Sequence, residues 1–372
     1  MVMNRPRKWQ RHNALAEGRK ICHDSRETMT QAMILAAGLS TRLGSLSEER
    51  PKPLLPVCDR PLIQWGLELC RQAGIHQASI NLHHRAEMIP NVLGDGKELG
   101  VELLYSRESE ILGTGGGIKR MAHLRPRQTT VVVNGKIVVD LDLKKAIEFH
   151  RERRALATMV LYPHAHAKKW GAIGIGPHGQ ITSFLGETHE AARVEEELMF
   201  TGIHILEPEF IDRIPEGPCC IVRTAYQQLF QEKAALWAYV HRGYFYEHST
   251  PERYLEGNFN LLRGECDPPA KPGPLRGIAE SAEIDPSAEI IAPVLIGENV
   301  RIGAQARIGP LAIIGHDAEV SANVSISQSV VWPQAKVDQN ANRLVITGQS
   351  QIEVPQTEDP TAAPRTVSET KA

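Results

Sequence analysis

No run of about 18 consecutive apolar residues occurs in this chain of 372 residues, so the sequence offers no candidate membrane-spanning helix. Aromatic residues are scarce, at 5%. Neither sign of charge is in excess: 42 Lys and Arg against 44 Asp and Glu leave a formal net charge of −2. A near-neutral balance supplies no electrostatic footprint for nucleic acid. The six cysteines, Cys22, Cys58, Cys70, Cys219, Cys220 and Cys266, form neither a Cys-x-x-Cys pair nor a zinc spacing. They therefore read as free thiols in a reducing cytoplasm. Residues Met1 to Thr28 lack the apolar stretch of a secretory signal and carry Arg5, Arg7, Lys8 and Arg11, so a disordered extension is expected over 1–28.

Two different periodicities divide the rest. From Ala32 to about Asn260 strand-like and helix-like segments alternate: Met33–Ala37, Leu62–Ala73, Gln77–Leu82, Ala86–Leu93, Glu102–Tyr105, Gly116–Leu124, Thr129–Asn134, Leu143–Arg153 and Ala157–Tyr162. Such alternation predicts an α/β domain over 29–263, with a mostly parallel sheet covered on both faces and ligands at the carboxyl ends of its strands. Thr129–Asn134, apolar almost throughout, reads as a central strand. Four prolines within Asp267–Pro274 then break the pattern and mark a linker over 264–276.

Beyond the linker, Ile284, Ile290, Ile296, Ile302, Ile308, Ile314, Val320, Ile326 and Trp332 recur every six residues. Ala282, Ala288, Val294, Val300, Ala306, Ala312, Ala318, Val324 and Val330 repeat the step two positions earlier. This hexapeptide pattern predicts a parallel β-helix over 277–346, of about three coils, with the branched residues inward. Its open end needs cover, from the first domain or from a second copy in a homo-oligomer. Residues 347–372, rich in Thr, Pro, Ser and Glu, are expected to be disordered. His316 is the only histidine of the repeats, which leaves an acyltransferase reading with little support.

Between Gln31 and Val57 an apolar strand runs into Leu35-Ala-Ala-Gly-Leu-Ser-Thr-Arg-Leu43, followed by Arg50-Pro-Lys-Pro-Leu-Leu-Pro-Val57. Gly38 lets backbone amides approach a ligand, Arg42 offers a planar fork for phosphate, and Lys52 is a point charge between two prolines. These residues resemble the two-part signature of the sugar-1-phosphate nucleotidyltransferases, with Ser40 at the family's second glycine. The resemblance implies a Rossmann-like (GT-A-like) domain followed by a left-handed β-helix. It also implies a nucleoside triphosphate and a sugar 1-phosphate as partners. The attacking phosphate is already ionised, so the protein has only to align reactants and neutralise charge.

Carried over residue by residue, the resemblance assigns Leu35, Ala37 and Gly38 to the nucleoside and Arg42 and Lys52 to the phosphates. Gly113, Thr114 and Gly115, in Leu112-Gly-Thr-Gly-Gly-Gly117, and Asn134 would also bind nucleotide. Phe200-Thr-Gly-Ile203 would bring Thr201 and Gly202 to the sugar phosphate, with Glu187 on sugar hydroxyls. The family's Lys after that Glu is missing here. A larger departure follows Asn134-Gly135, where the family has an Asp that binds magnesium and this chain has Lys136. The second expected Mg2+ ligand corresponds to Glu247. Asp140 and Asp142 lie four and six residues beyond Lys136, too far along the chain to replace the missing carboxylate, and Asp142 precedes a helix as a cap would. Two readings remain open at this point. Lys136 either sits where the metal would and pairs directly with phosphate, giving weak or metal-altered catalysis, or marks a regulatory homologue that binds nucleotide or sugar nucleotide without turnover.

Overall fold

The computed structural model describes residues 30–190 and 192–356; the expectations for residues 1–28 and 357–372 lie outside them. Thr30–Leu35 pairs in parallel with Gln77–Leu82 on one side and with Thr129–Asn134 on the other, and Gln77–Leu82 pairs in parallel with Glu102–Arg107. This parallel core belongs to a ten-stranded sheet. Alternate residues of its apolar strands enter opposite cores: Ile34, Val131 and Val133 pack on one face, Met33 and Val132 on the other. Both faces are covered, which is why these strands are apolar throughout rather than alternating. The parallel run ends at Glu196–Leu206, which lies antiparallel to Thr129–Asn134 and to Ala157–Tyr162. The sheet is mixed because this long strand, reached without a crossover helix, returns beside the central one.

Helix boundaries follow local chemistry. Leu143–Glu152 begins where the Asp142 carboxylate accepts the Lys145 amide at 3.1 Å. Pro251–Arg263 begins at Thr250, whose hydroxyl accepts the Arg253 amide, and stops at Gly264 in the left-handed region, φ 78°.

After the Pro-rich segment the chain coils into three parallel ladders. One ladder stacks Gly277–Ile278, Val294–Ile296, Ala312–Ile314, Ser329–Val331 and Leu344–Ile346, and the other two hold four strands each. Four coils are thus present where the repeat count predicted about three. The coil step is 18 residues from Val294 to Ala312, 17 from Ala312 to Ser329, and 15 from Val330 to Val345. Corner residues record the change. Asn299, Gln305, Leu311, Asp317 and Asn323 adopt φ of 56–62° six residues apart, and the next corner, Gln328, comes after five. Ile296, Ile302, Ile308, Ile314, Val320 and Ile326 fill the interior as the period predicts, but Val331 then takes the inward place expected of Trp332. The lost corner residue turns Trp332 outward into a core shared with the first domain. Pairing also continues past residue 346: Gln351–Glu353 runs antiparallel to Leu344–Ile346 where a disordered tail was expected to begin.

The seam between the two units is polar as well as apolar. The Trp332 indole N–H donates to the Tyr254 hydroxyl at 3.1 Å, and that hydroxyl donates to the Pro56 carbonyl at 2.5 Å. Asn258 accepts the Cys58 amide at 2.9 Å, and Asp59 binds both the amide and Nδ1 of His316. Thr347 and Ser350 hydroxyls each donate to Glu49 at 2.6 Å. The segment from Glu49 to Asp59, which contains Lys52, is thereby held between the helix Pro251–Arg263 and the coils.

Candidate nucleotide-binding site

Leu35 and Asn134 are register partners at the carboxyl ends of neighbouring parallel strands. The chain leaves both strands at the same edge, and the diverging segments open a cavity of about 290 Å³. Among the residues proposed from sequence, Leu35, Ala37, Gly38, Lys52, Gly113, Thr114 and Asn134 line it, joined by Lys136, Asn81 and Glu108. A Cβ added at Gly38 would meet no atom within 4 Å. Ser40, where the family has glycine, takes the left-handed conformation with φ 62°.

Two residues that sequence reasoning missed hold this cavity in shape. The Asn81 carbonyl accepts the Ala36 amide at 2.8 Å, and its NH₂ donates to Glu108 Oε1 at 2.8 Å. Glu108 Oε2 accepts the Leu112 amide at 3.1 Å. Asn81 and Glu108 are only 3% and 5% exposed, so they tie the two glycine-bearing loops together out of water, where such bonds hold best. The available signal was an Asn inside the apolar strand Gln77–Leu82, since a buried amide must find partners.

Gly115 points away from the cavity. Its amide donates to the Cys219 carbonyl at 2.9 Å, and a Cβ on it would lie 2.5 Å from Cys219 Sγ. Close packing on the Cys219 segment therefore requires this glycine. Thr114 faces both ways, lining the cavity while its hydroxyl accepts the Ile221 amide at 3.1 Å.

The cationic end of the site is built by a short hairpin-like ladder. Ile137–Val139 pairs antiparallel with Phe245–Glu247, and the Lys136 carbonyl accepts the His248 amide at 3.0 Å. Lys136 is thereby placed beside Glu247, its ammonium 2.8 Å from Oε1. Arg42 Nη2 approaches the same oxygen at 3.7 Å, and the Arg253 guanidinium donates to the Glu247 carbonyl at 2.8 Å. Burial works to raise the Glu247 pKa, but Lys136, Arg253 and Lys52 outweigh it and hold the carboxyl at about 2. Lys52 is buried, and desolvation, reinforced by the charges of Lys136 and Arg42, brings its ammonium down to about 8.

On the other side of the Lys136–Glu247 pair lies a second cavity of about 250 Å³, walled by Tyr162, His164, Phe184, Phe200, Phe245, Glu247 and Arg253 among others. The sugar-side residues proposed from sequence do not line it. Glu187 is exposed and bonded to Gln231 at 3.1 Å. Thr201 is buried with its hydroxyl donated to the Val160 carbonyl at 2.7 Å. Gly202, φ 83°, lies where a Cβ would come within 1.9 Å of the Asn134 amide nitrogen. These two residues shape the strand behind Asn134.

Residues 31–246 match the family model described as nucleotidyl transferase, more than half of the chain. The chain belongs to that family. A UTP–glucose-1-phosphate uridylyltransferase of Synechocystis sp. is 38% identical over 203 residues, 50% of this chain and 51% of that one, so the match spans about half of that relative's length. A mannose-1-phosphate guanylyltransferase of Mycobacterium tuberculosis is 29% identical over 271 residues, 72% of this chain and 74% of its own. The solved structure of HddC from Yersinia pseudotuberculosis shares the fold, with a TM-score of 0.51 at 24% identity, covering 61% of this chain and 97% of that one. Relatives named as transferases do not favour the non-catalytic reading of this nucleotidyl transferase family member.

Members of the family generally use a divalent metal, yet the residues here do not build a place for one. Among the described residues no group of three or more His, Cys, Asp or Glu could hold a metal ion. Glu247 stands where the resemblance puts a Mg2+ ligand, but its Oε1 is taken by Lys136 and faced by Arg42. Asp140 is engaged with the Tyr244 amide at 2.7 Å, and Asp142 caps its helix. The donor set therefore fits a cation-lined anion site better than a metal centre.

Proposed function

We propose that the chain transfers a nucleotidyl group from a nucleoside triphosphate to a sugar 1-phosphate. A phosphate oxygen of the sugar attacks the α-phosphorus, a new P–O bond forms, the bond to the β-phosphate breaks, and pyrophosphate leaves. No side-chain nucleophile is needed, because the attacking phosphate oxygen is already ionised. One observation carries the reading: the Gly38 loop, the Lys52 ammonium and the Lys136 ammonium converge on one cavity at the carboxyl edge of parallel strands. The second cavity, across the Lys136–Glu247 pair, is the natural seat for the sugar, its aromatic walls suited to stacking on a ring. Arg42 and Arg253 flank the passage between them. Cys58, Cys70, Cys219, Cys220 and Cys266 are free, and no helix among the described residues is long and apolar enough to cross a membrane; both facts support work in the cytoplasm.

Pyrophosphate release measured over a grid of nucleoside triphosphates and sugar 1-phosphates tests the reading. At least one pair should turn over, and Lys52→Met should lower kcat/KM for that pair by about 10²–10³, the usual effect of removing one preorganised charge donor. Absence of pyrophosphate from every pair would overturn it.

A further inference from the structure

Around Glu247 the chain gathers four cations: Lys136 at 2.8 Å and Arg42 at 3.7 Å from its Oε1, Arg253 bonded to its carbonyl at 2.8 Å, and Lys52 on the wall of the cavity that Lys136 also lines. Glu108, the carboxylate that lines the first cavity, is already committed to Asn81 and the Leu112 amide. Lys136 cannot drift far from its place. Its amide is bonded to the Asn134 carbonyl at 2.8 Å and its carbonyl to His248, so the backbone beneath the ammonium is tied at both ends. A divalent ion seated on Glu247 would have to displace this ammonium and then share the oxygen's surroundings with two positive charges. A triphosphate meets the opposite situation, an excess of cationic donors balanced by one carboxylate.

We infer that Lys136, with Lys52 and Arg42, takes the place of a protein-held divalent ion: the three side chains neutralise the triphosphate directly, and Glu247 is the resting counter-ion that the phosphates replace. Magnesium then enters only as a companion of the nucleotide or of the departing pyrophosphate, on oxygens turned away from these side chains. The inference rests on the transferase reading above and adds to it a residue and a mode of charge neutralisation.

Calorimetry with ATP, GTP, UTP and dTTP, each in excess magnesium and in excess EDTA, tests it. For the nucleotide that binds, the wild-type dissociation constant should agree within about threefold between the two media. Lys136→Asp should bind about tenfold or more weakly in EDTA and recover with magnesium, because it restores a hard oxygen donor beside Glu247. Manganese resonance gives a second readout: the wild type without nucleotide should leave Mn2+ free, whereas Lys136→Asp should bind it. Lys136→Met, which removes the charge without adding a ligand, should lose about tenfold in both media. If Lys136→Asp fails to fold, the wild-type comparison still decides. A wild type that binds nucleotide only with magnesium, or that binds Mn2+ by itself, overturns this inference and leaves the transferase reading standing. Failure of every nucleotide to bind in either medium overturns both.

Discussion

The sheet unit and the coil stack draw on the same branched apolar residues but bring them together by different rules. In the coils each side chain meets its counterpart one turn away, so environments repeat and polar residues form ladders. Glu283, Arg301, Glu319 and Lys336 run down one face as exposed ion pairs that water screens. In the sheet unit the decisive contacts join distant positions: Lys136 meets Glu247 across 111 residues, and Asn81 meets Glu108 across 27. A periodic stack makes many equal surfaces, whereas chemistry needs unlike groups converging on one point. The Lys136–Glu247 convergence is built on the sheet side, and the coils contribute by fixing the segment that carries Lys52.

The seam is where this contrast can be broken most severely. Trp332→Ala removes a fully buried indole shared by both units and the donor to Tyr254. It should cost about 3–5 kcal/mol and split urea unfolding into two transitions, read by circular dichroism and tryptophan fluorescence. A single transition at an unchanged midpoint would mean that the two units are coupled elsewhere.

A second, smaller effect belongs to the sheet unit alone. Burial brings the Lys52 pKa from its ordinary 10.5 down to about 8 in the folded chain, so it loses its proton as pH rises through about 8. The profile of kcat/KM for nucleotide should fall about tenfold per pH unit above that point. Stability moves the other way. Between about 8 and 10.5 the unfolded chain still binds the proton that the folded chain has released, so this group's contribution to stability rises with pH.

The smallest change sharpens the contrast from the other side. Ile314→Val, deep in the coil interior, should lower stability by about 0.5–1.5 kcal/mol in the same denaturation experiment. It should leave kcat/KM unaltered, because Ile314 packs within the coil rather than on the Lys52 segment.

The same two rules decide what could be read from sequence. The inward coil residues were legible up to Ile326 because period alone dictates them. Trp332 was not, since one corner residue is missing before Gln328, and the shift from Trp332 to Val331 exchanges one apolar residue for another. Leu35, Gly38, Lys52 and Asn134 were legible because a contiguous motif carries each of them. Asn81 and Glu108 escaped notice, since nothing in their immediate neighbourhood says that they will meet. Thr201 and Gly202 sit in a recognisable segment, yet the long antiparallel strand turns that segment behind Asn134 and away from both cavities. Arg253 went unremarked because its role depends on the ladder that lifts Glu247 beside it.

The bond from Tyr254 to Pro56 carries a consequence for biosynthesis. As the chain is made, the Pro56 carbonyl must wait 198 residues for its hydroxyl partner, and that hydroxyl another 78 for the indole that completes the relay. A polypeptide still threaded through the ribosome at the helix stage has already produced the loop for its ligand without the brace behind it. The brace behind the Lys52 segment is thus complete only once the last coils have been made.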